Sequence, residues 1–330
     1  MPNADTAQPE ASPRRTAAPA LEFEGRRIVC SAGRLRIASI FDEVWLDLPP
    51  LANPFALLDA VERSAIQADL FTFAQSLPEV AVAYPDLHVD HDNLAVGDTS
   101  NFKAWWEGLP QESRKNCRKA QKRGVTVRRA EFDDALVAGI KAIYDETPIR
   151  QGRRFPHYGK DLATVRAENA SYAERSRFIG AFLGTQLIGF IKMVYCGRTA
   201  RIMQIIARND HYEKHPTNAL LAAAMEQCSK DSIDRLIYGQ YVYGRKRNSS
   251  VTEFKRRNGF IEVLLPRYYI PLTAKGRLAL ATGLHRGLAA NLPEPVTNFL
   301  LDSRAFVYDK FGPKFSGGRA PSSASQRAAS

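Results

Sequence analysis

Between residues 22 and 48 the apolar positions come in short alternating runs, RRIVCSAGRLRIASIFDEVWLDL, the period of two or three half-buried strands turning at Gly33. Asn53-Pro54 then opens FALLDAVERSAIQ, which predicts a short amphipathic helix with Asn53 as N-cap and Pro54 in the first turn. DLFTFAQSL reads as a strand, and the Asp-, Asn- and Pro-rich segment from there to about Thr99 reads as irregular. From Asn101 the period lengthens: NFKAWWEGLPQESRKNCRKAQKRGV predicts a helix interrupted near Pro110 and stopped by Gly124 as a C′ residue. TVRRA is a strand. DDALVAGIKAIYDETPIRQG predicts an amphipathic helix entered through Asp133 or Asp134, and residues 162–172 predict another helix. RFIGAFLGTQLIGFIKMVYCGRTARIMQIIA contains three strands turning at Gly184 and Gly197, an antiparallel meander. ALLAAAMEQCSKD follows as a helix with Thr217 or Asn218 as N-cap, then the strand RLIYGQYVYG, the helix SSVTEFKRRNG and the strand FIEVLLPRYYI. The rest, from Leu272 onward, reads as two helices split by Pro293 and Pro295.

Breaks in this pattern suggest a polar, Ala- and Pro-rich disordered tail over 1–20, a small α/β lobe over 21–100 and a larger unit over 101–272. A helical extension over 273–315 and a second disordered tail over 316–330 complete the chain. No apolar run approaches the roughly 18 residues of a membrane span, and the N-terminal segment lacks the apolar stretch of a signal peptide. Four cysteines, Cys30, Cys117, Cys196 and Cys228, are scattered without a CxxC pair. That spacing argues against a zinc ribbon or disulfide framework and fits the reducing cytoplasm, with the protein free or peripheral to the membrane. The formal charge of +11 makes an anionic partner the natural expectation: a nucleotide, RNA or an anionic membrane surface.

Part of that charge has a pattern. Arg114, Lys115, Arg118, Lys119, Lys122 and Arg123 recur at helical spacing on adjacent stripes, a face able to grip tRNA phosphates or lipid headgroups, or simply a solvated one. A metal is not expected. His88-Val89-Asp90-His91-Asp92 fits no ligand spacing, and His211 and His215, four apart, lack the glutamate of a zincin and precede Pro216.

The order helix, strand, helix, helix, three-strand meander, helix, strand, helix, strand over residues 114–270 resembles the catalytic domain of GNAT-superfamily acyltransferases. GTQLIGF at 184–190 looks like that family's second hairpin, the helix after Ala207 stands where its donor-binding helix belongs, and Asn248 with Gly259-Phe260 resembles its closing element. Two departures point to the FemAB-like branch. The loop ARNDHYEKHPTNALL replaces the usual Gly-rich pyrophosphate loop, and Lys255 in EFKRRNGF stands where a tyrosine general acid is usual. RKNCRKAQKRGVTV and Arg150 in ETPIRQG, followed by Tyr158, look like further features of that branch.

The resemblance implies a mixed α/β (α+β) GNAT-type fold: a central splayed mixed sheet flanked by helices, with a small N-terminal α/β lobe and C-terminal helices. It implies an N-acyltransferase, with acyl-CoA or aminoacyl-tRNA as co-substrate rather than as a bound cofactor. The acceptor would be an amine on a sugar, lipid or peptide precursor, as in cell-envelope or polysaccharide biosynthesis. The candidate catalytic residues are Lys255, as a cation at the acyl carbonyl or a phosphate, and Arg150. Donor-binding candidates are Thr217, Asn218, Arg245, Lys246 and Asn248; acceptor-binding candidates are Gln151, Tyr158 and Tyr241. Lys255 has a competing reading, as one of a solvated basic row with Arg256 and Arg257. Three whole-protein readings stay open: a thioester-dependent transferase, slightly favoured; an aminoacyl-tRNA-dependent peptidyl transferase; and a non-catalytic binding protein on this scaffold.

Overall fold

The computed structural model describes residues 20–46, 48, 51, 53–75, 77, 84–150, 153–244 and 247–287. Both expected tails (apart from Ala20), the second C-terminal helix, Gln151, Arg245 and Lys246 lie outside the described residues.

The alternating N-terminal runs form β1 (Leu21–Phe23), β2 (Arg26–Cys30) and β3 (Ile37–Ile40). Helix α1 (Pro54–Glu62) starts as its sequence requires, with the Asn53 side chain accepting from the N–H groups of Phe55 and Ala56. Strand β4 (Leu70–Ala74) follows. The segment expected to be irregular instead ends in an eleven-residue strand, β5 (His88–Asp98). Its polar first half, HVDHDN, hides the strand period, because those side chains are held by β13 and the C-terminal segment rather than by an apolar core.

Helices α2 (Phe102–Gly108) and α3 (Gln111–Lys122) are split at Pro110 and lead to β6 (Val125–Ala130). Helix α4 (Asp134–Tyr144) is capped by Asp133 and stops well before Gly152, because Pro148 cannot continue it. The chain there forms a short hairpin, β7 (Ile149–Arg150) with β8 (Arg153–Arg154), before α5 (Leu162–Asn169). The meander is β9 (Ser176–Leu183), β10 (Gln186–Cys196) and β11 (Thr199–Ala207), then α6 (Pro216–Lys230), β12 (Arg235–Gln240), α7 (Ser250–Arg257), β13 (Ile261–Pro271) and α8 (Ala274–Ala281). Helix α6 begins before either residue proposed as its cap. Pro216 fixes the first-turn φ, and His215, at φ 53°, is the N-cap, so Thr217 and Asn218 lie inside the first turn.

Eleven strands make one mixed sheet in the order β1-β2-β3-β4-β13-β5-β12-β11-β10-β9-β6. Among the described residues only β3–β4 and β11–β12 pair parallel. One face packs α6 over Ile191, Met193, Ile202 and Leu236, the other packs α4 and α5 over Phe178, Phe190 and Ile206. A third apolar cluster, around Leu57, Phe71 and Tyr268, lies under α1. Between these cores, Arg267 of β13 donates to Asp92 of β5 (2.8 Å) and to Glu43 (3.1 Å), a partly buried ion network beneath the sheet centre. No helix of the described residues is long and apolar enough to cross a membrane. The result is the GNAT-type architecture, a mixed sheet flanked by helices.

Helix α8 crosses the start of β4 so closely that a Cβ on Gly276 would sit 2.0 Å from the Asp69 carbonyl oxygen. Gly276→Ala is expected to destabilise the protein by about 1–3 kcal/mol through overpacking, read as a lowered urea midpoint. An unchanged midpoint would mean that α8 is not docked there.

Candidate functional site

The parallel strands β11 and β12 share only three residue pairs, Thr199–Arg201 with Arg235–Ile237. Beyond them β11 stays with β10 as far as Ala207, while β12 stays with β5 as far as Gln240. The divergence has a local cause. From Ile237 to Gln240 strand β12 uses one more residue than its β5 partners Val96 to Leu94, a bulge made possible by Gly239 at φ 57°. A bulge bends its strand, and this one turns β12 away from β11. The two strand ends, Ala207 and Gln240, become the lips of a V-shaped cleft.

A cation binds the last carbonyl of each lip. Lys255 of α7 donates its Nζ to the Gln240 carbonyl and lies 3.4 Å from the Tyr243 hydroxyl. The ammonium sits 4.6 Å from the ring centroids of both Tyr238 and Tyr243. Its residue is 0 % exposed, so Lys255 does not belong to the solvated row formed by its neighbours. Arg256 and Arg257 instead pair with Glu253 on the outer face of the same helix. No carboxylate among the described residues pairs with Lys255, and burial pushes its pKa down from 10.5 to about 7. Burial also pushes the Tyr243 hydroxyl up to about 12, so it stays protonated beside the amine. A lysine poised between its two protonation states at neutral pH, at a strand splay, is equipped to give up or take a proton there.

On the other lip Arg150 is buried and engaged through both terminal guanidinium nitrogens. Its guanidinium donates to the Ala207 carbonyl (3.0 Å), the Ile143 carbonyl (3.2 Å) and Glu146 (3.0 Å), over the face of Phe155. Glu146 accepts in turn from the backbone N–H groups of Asn209 (2.8 Å) and Asp210 (3.2 Å). The pair therefore holds the end of β11 and the turn that leads to α6. This geometry ties the Arg150 side chain to the backbone and carboxylate around it.

The first turn of α6 offers backbone N–H groups and the positive end of the helix dipole, flanked by the C-terminal half of α3. Lys119 and Arg123 stand near enough to His215 to lower its pKa, after burial itself. Thr217 and Asn218 are buried, and the Asn218 side chain donates to Asn258 at the end of α7 (3.1 Å). Asn248 is exposed beside Ser249, which caps α7. Tyr241 is half-buried, with its carbonyl accepting from Thr252 (3.2 Å). Tyr158 is exposed, beyond the β7–β8 hairpin. Along α3, Lys115, Arg118, Lys122 and Arg123 are exposed while Arg114 and Lys119 are half-buried. A separate cavity of about 380 Å³, lined by Arg128, Gly139, Gln186 and Arg208 among others, holds neither Lys255 nor Arg150.

Residues of this site not singled out from the sequence include Glu146, Tyr238, Tyr243 and Asn258. A signal was present. Val251, Phe254, Lys255 and Asn258 follow the spacing of one helix face, which puts a lysine and an amide on the stripe that must be buried. The run YGQYVY supplies the rings that receive the lysine.

Arg150→Met removes the closer of the two guanidinium groups beside the buried Glu146, leaving Arg208 at 3.6 Å, and should cost about 1–3 kcal/mol, measured by urea unfolding. A double substitution with Glu146→Gln should recover part of the loss. Equal losses in the single and double variants would show that the ion pair is not what holds the β11 end.

No protein-family model and no curated protein matches the sequence. Solved structures do match the fold. FemX superposes with a TM-score of 0.57 at 12% identity, over 79% of this chain and 89% of FemX. The C-terminal domain of a putative lysylphosphatidylglycerol synthetase from Agrobacterium fabrum gives 0.53 at 16% identity, over 80% and 88% of the two chains. L-PGS from Bacillus licheniformis gives 0.50 at 11%, over 78% and 85%. At such identities the likeness is one of fold, and it extends through the N-terminal lobe as well as the splayed half. The chain has a GNAT-type fold, the arrangement shared with FemX and the lysylphosphatidylglycerol synthetase domain.

Proposed function

We propose that this protein is an acyltransferase that passes an aminoacyl group from aminoacyl-tRNA to an amine on a sugar, lipid or peptide precursor. The observation that carries the reading is Lys255, wholly buried at the lip of the splay with no carboxylate partner among the described residues. Unpaired cations are costly to bury, and are retained where the charge does chemistry. In the proposed step the acceptor nitrogen attacks the ester carbonyl carbon and the carbon–oxygen bond to the donor breaks. The departing oxygen takes a proton from the Lys255 ammonium, and the proton that the acceptor nitrogen gives up returns to the neutral Lys255 Nζ, restoring it.

The slight preference for a thioester donor drawn from the sequence gives way to tRNA on two observations. Helix α6 opens on His215-Pro216, where a pyrophosphate loop needs glycines, and Pro216 has no N–H to offer. Beside that helix end runs the largely exposed basic row of α3, suited to a long polyanion rather than to one pyrophosphate. The named product of the A. fabrum relative, lysylphosphatidylglycerol, is itself an aminoacyl conjugate. Lys119 and Arg123 would hold donor phosphates at the α6 N-terminus, and Tyr158 and Tyr241 would lie toward the acceptor.

Lys255→Met is expected to lower kcat by about a hundredfold or more while the circular dichroism spectrum stays unchanged; undiminished turnover would remove Lys255 from the chemistry. An acid with a pKa of about 7 predicts a rate that falls as pH rises through that value. Stability runs the other way. The folded-state pKa lies below the ordinary 10.5, so the cost of burying the charge is full below about pH 7 and is relieved as pH climbs toward 10.5. Lys255→Met should therefore raise the Tm more at pH 6 than at pH 10.

Thermal-shift titrations separate the donors. Aminoacyl-tRNA is expected to stabilise the protein in a salt-sensitive way that weakens on Lys119→Glu or Arg123→Glu. A shift with acyl-CoAs alone would restore the thioester reading, and no shift with either would favour a non-catalytic protein.

A further inference from the structure

His88 and Asp90, two apart on β5, point to one face of the strand, and the short helix Leu284–Arg286 after α8 brings His285 against them. His285 Nε2 lies 2.9 Å from Asp90 Oδ2, and His88 Nε2 lies 3.7 Å from Asp90 Oδ1. All three ligand atoms fall within 4.8 Å of one another. The rings of Tyr269 and His285, with centroids 4.8 Å apart, close one side of the cluster, and the His285 side chain is fully buried.

The proton inventory of this cluster does not balance with neutral histidines. His285 Nδ1 faces the Ala279 carbonyl oxygen at 3.3 Å while Nε2 faces a carboxylate oxygen, so both ring nitrogens meet acceptors. A neutral imidazole has one N–H, and either tautomer leaves two acceptors face to face. An imidazolium would repair that contact, yet it would do nothing for His88, whose Nε2 is buried with no hydrogen-bond partner among the described residues. A single cation resolves both defects. The Ala279 carbonyl then accepts from Nδ1–H, the arrangement that fixes the tautomer of a metal-binding histidine, and the two Nε2 lone pairs face the ion.

We propose that His88, Asp90 and His285 form a zinc site that staples the C-terminal segment to β5. Two imidazole nitrogens and one carboxylate oxygen, with water as fourth ligand, suit Zn²⁺ better than the all-oxygen preference of Ca²⁺ or Mg²⁺. Arg286 does not fill the carboxylate. It donates through Nε to Oδ2 (3.0 Å) and through Nη2 to Oδ1, while a carboxylate offers about four lone-pair sites. The site joins residues 195 apart in the chain. It therefore acts on the docking of α8, away from Lys255.

The test uses the full-length chain stripped with a chelator, dialysed against Zn²⁺ and read by elemental analysis and by thermal midpoint. The expected result is one equivalent bound with a raised midpoint, and an affinity at least about tenfold weaker in His88→Gln and His285→Ala, but unchanged in His211→Ala. Should His285→Ala fail to fold, His88→Gln carries the comparison, since the His88 side chain is 35% exposed and tolerates replacement. Absence of stoichiometric zinc, or zinc binding that His88→Gln leaves intact, overturns the proposal in favour of a histidine–aspartate–arginine clamp. Neither outcome bears on turnover by Lys255, so the two proposals stand or fall separately.

Discussion

The whole arrangement depends on the register of β11 and β12, which ends after three residue pairs. A parallel pair of this length cannot close the sheet, and the bulge at Gly239 prevents it from lengthening. The edge of β11 beyond Arg201 is thereby left without a neighbouring strand, inside a sheet that is continuous on both sides of the gap. An opening in an otherwise paired sheet is where a substrate backbone or acyl chain can meet peptide groups that need partners. Everything else assigned to the site stands at its margins.

Those margins are held by two buried cations that solve the same problem differently. Arg150 reaches the Ala207 carbonyl with its charge compensated by Glu146, which in turn caps the following turn. Three acceptors hold its two terminal nitrogens, as suits a strut. Among the described residues, Lys255 reaches the Gln240 carbonyl with tyrosine rings and a hydroxyl beside it and no carboxylate. Cation–π attraction and one carbonyl replace part of its lost hydration, but not enough to keep its pKa in the ordinary lysine range. The contrast between a compensated and an uncompensated cation is the ground for proposing a positioning role for Arg150 and chemistry for Lys255. Sequence motifs that place both residues together do not draw that distinction.

Much of the scaffold was legible along the chain. The caps at Asn53 and Asp133, the break at Pro110 and the turns at Gly184 and Gly197 are local events, dictated by one or two residues, and they stand where the pattern put them. Failures fell where local rules meet tertiary ones. The polar start of β5 lacked a strand period because its partners, Arg267, His285 and Arg286, come from far along the chain. The cap of α6 was placed two or three residues late because His215 adopts a left-handed conformation that a non-glycine residue rarely takes.

For the site, the amino-acid sequence by itself determined that a lysine stands in EFKRRNGF and that the α6 loop lacks glycines. It also determined the helix-face spacing that buries Lys255 with Phe254 and Asn258, since periodicity is a property of consecutive residues. Only the tertiary structure decided that Arg150 and Lys255 end on the two lips of one cleft, and that His285 joins His88 and Asp90. Those outcomes rest on contacts between segments far apart in the chain, and a pattern read over neighbouring residues carries no term for such distances.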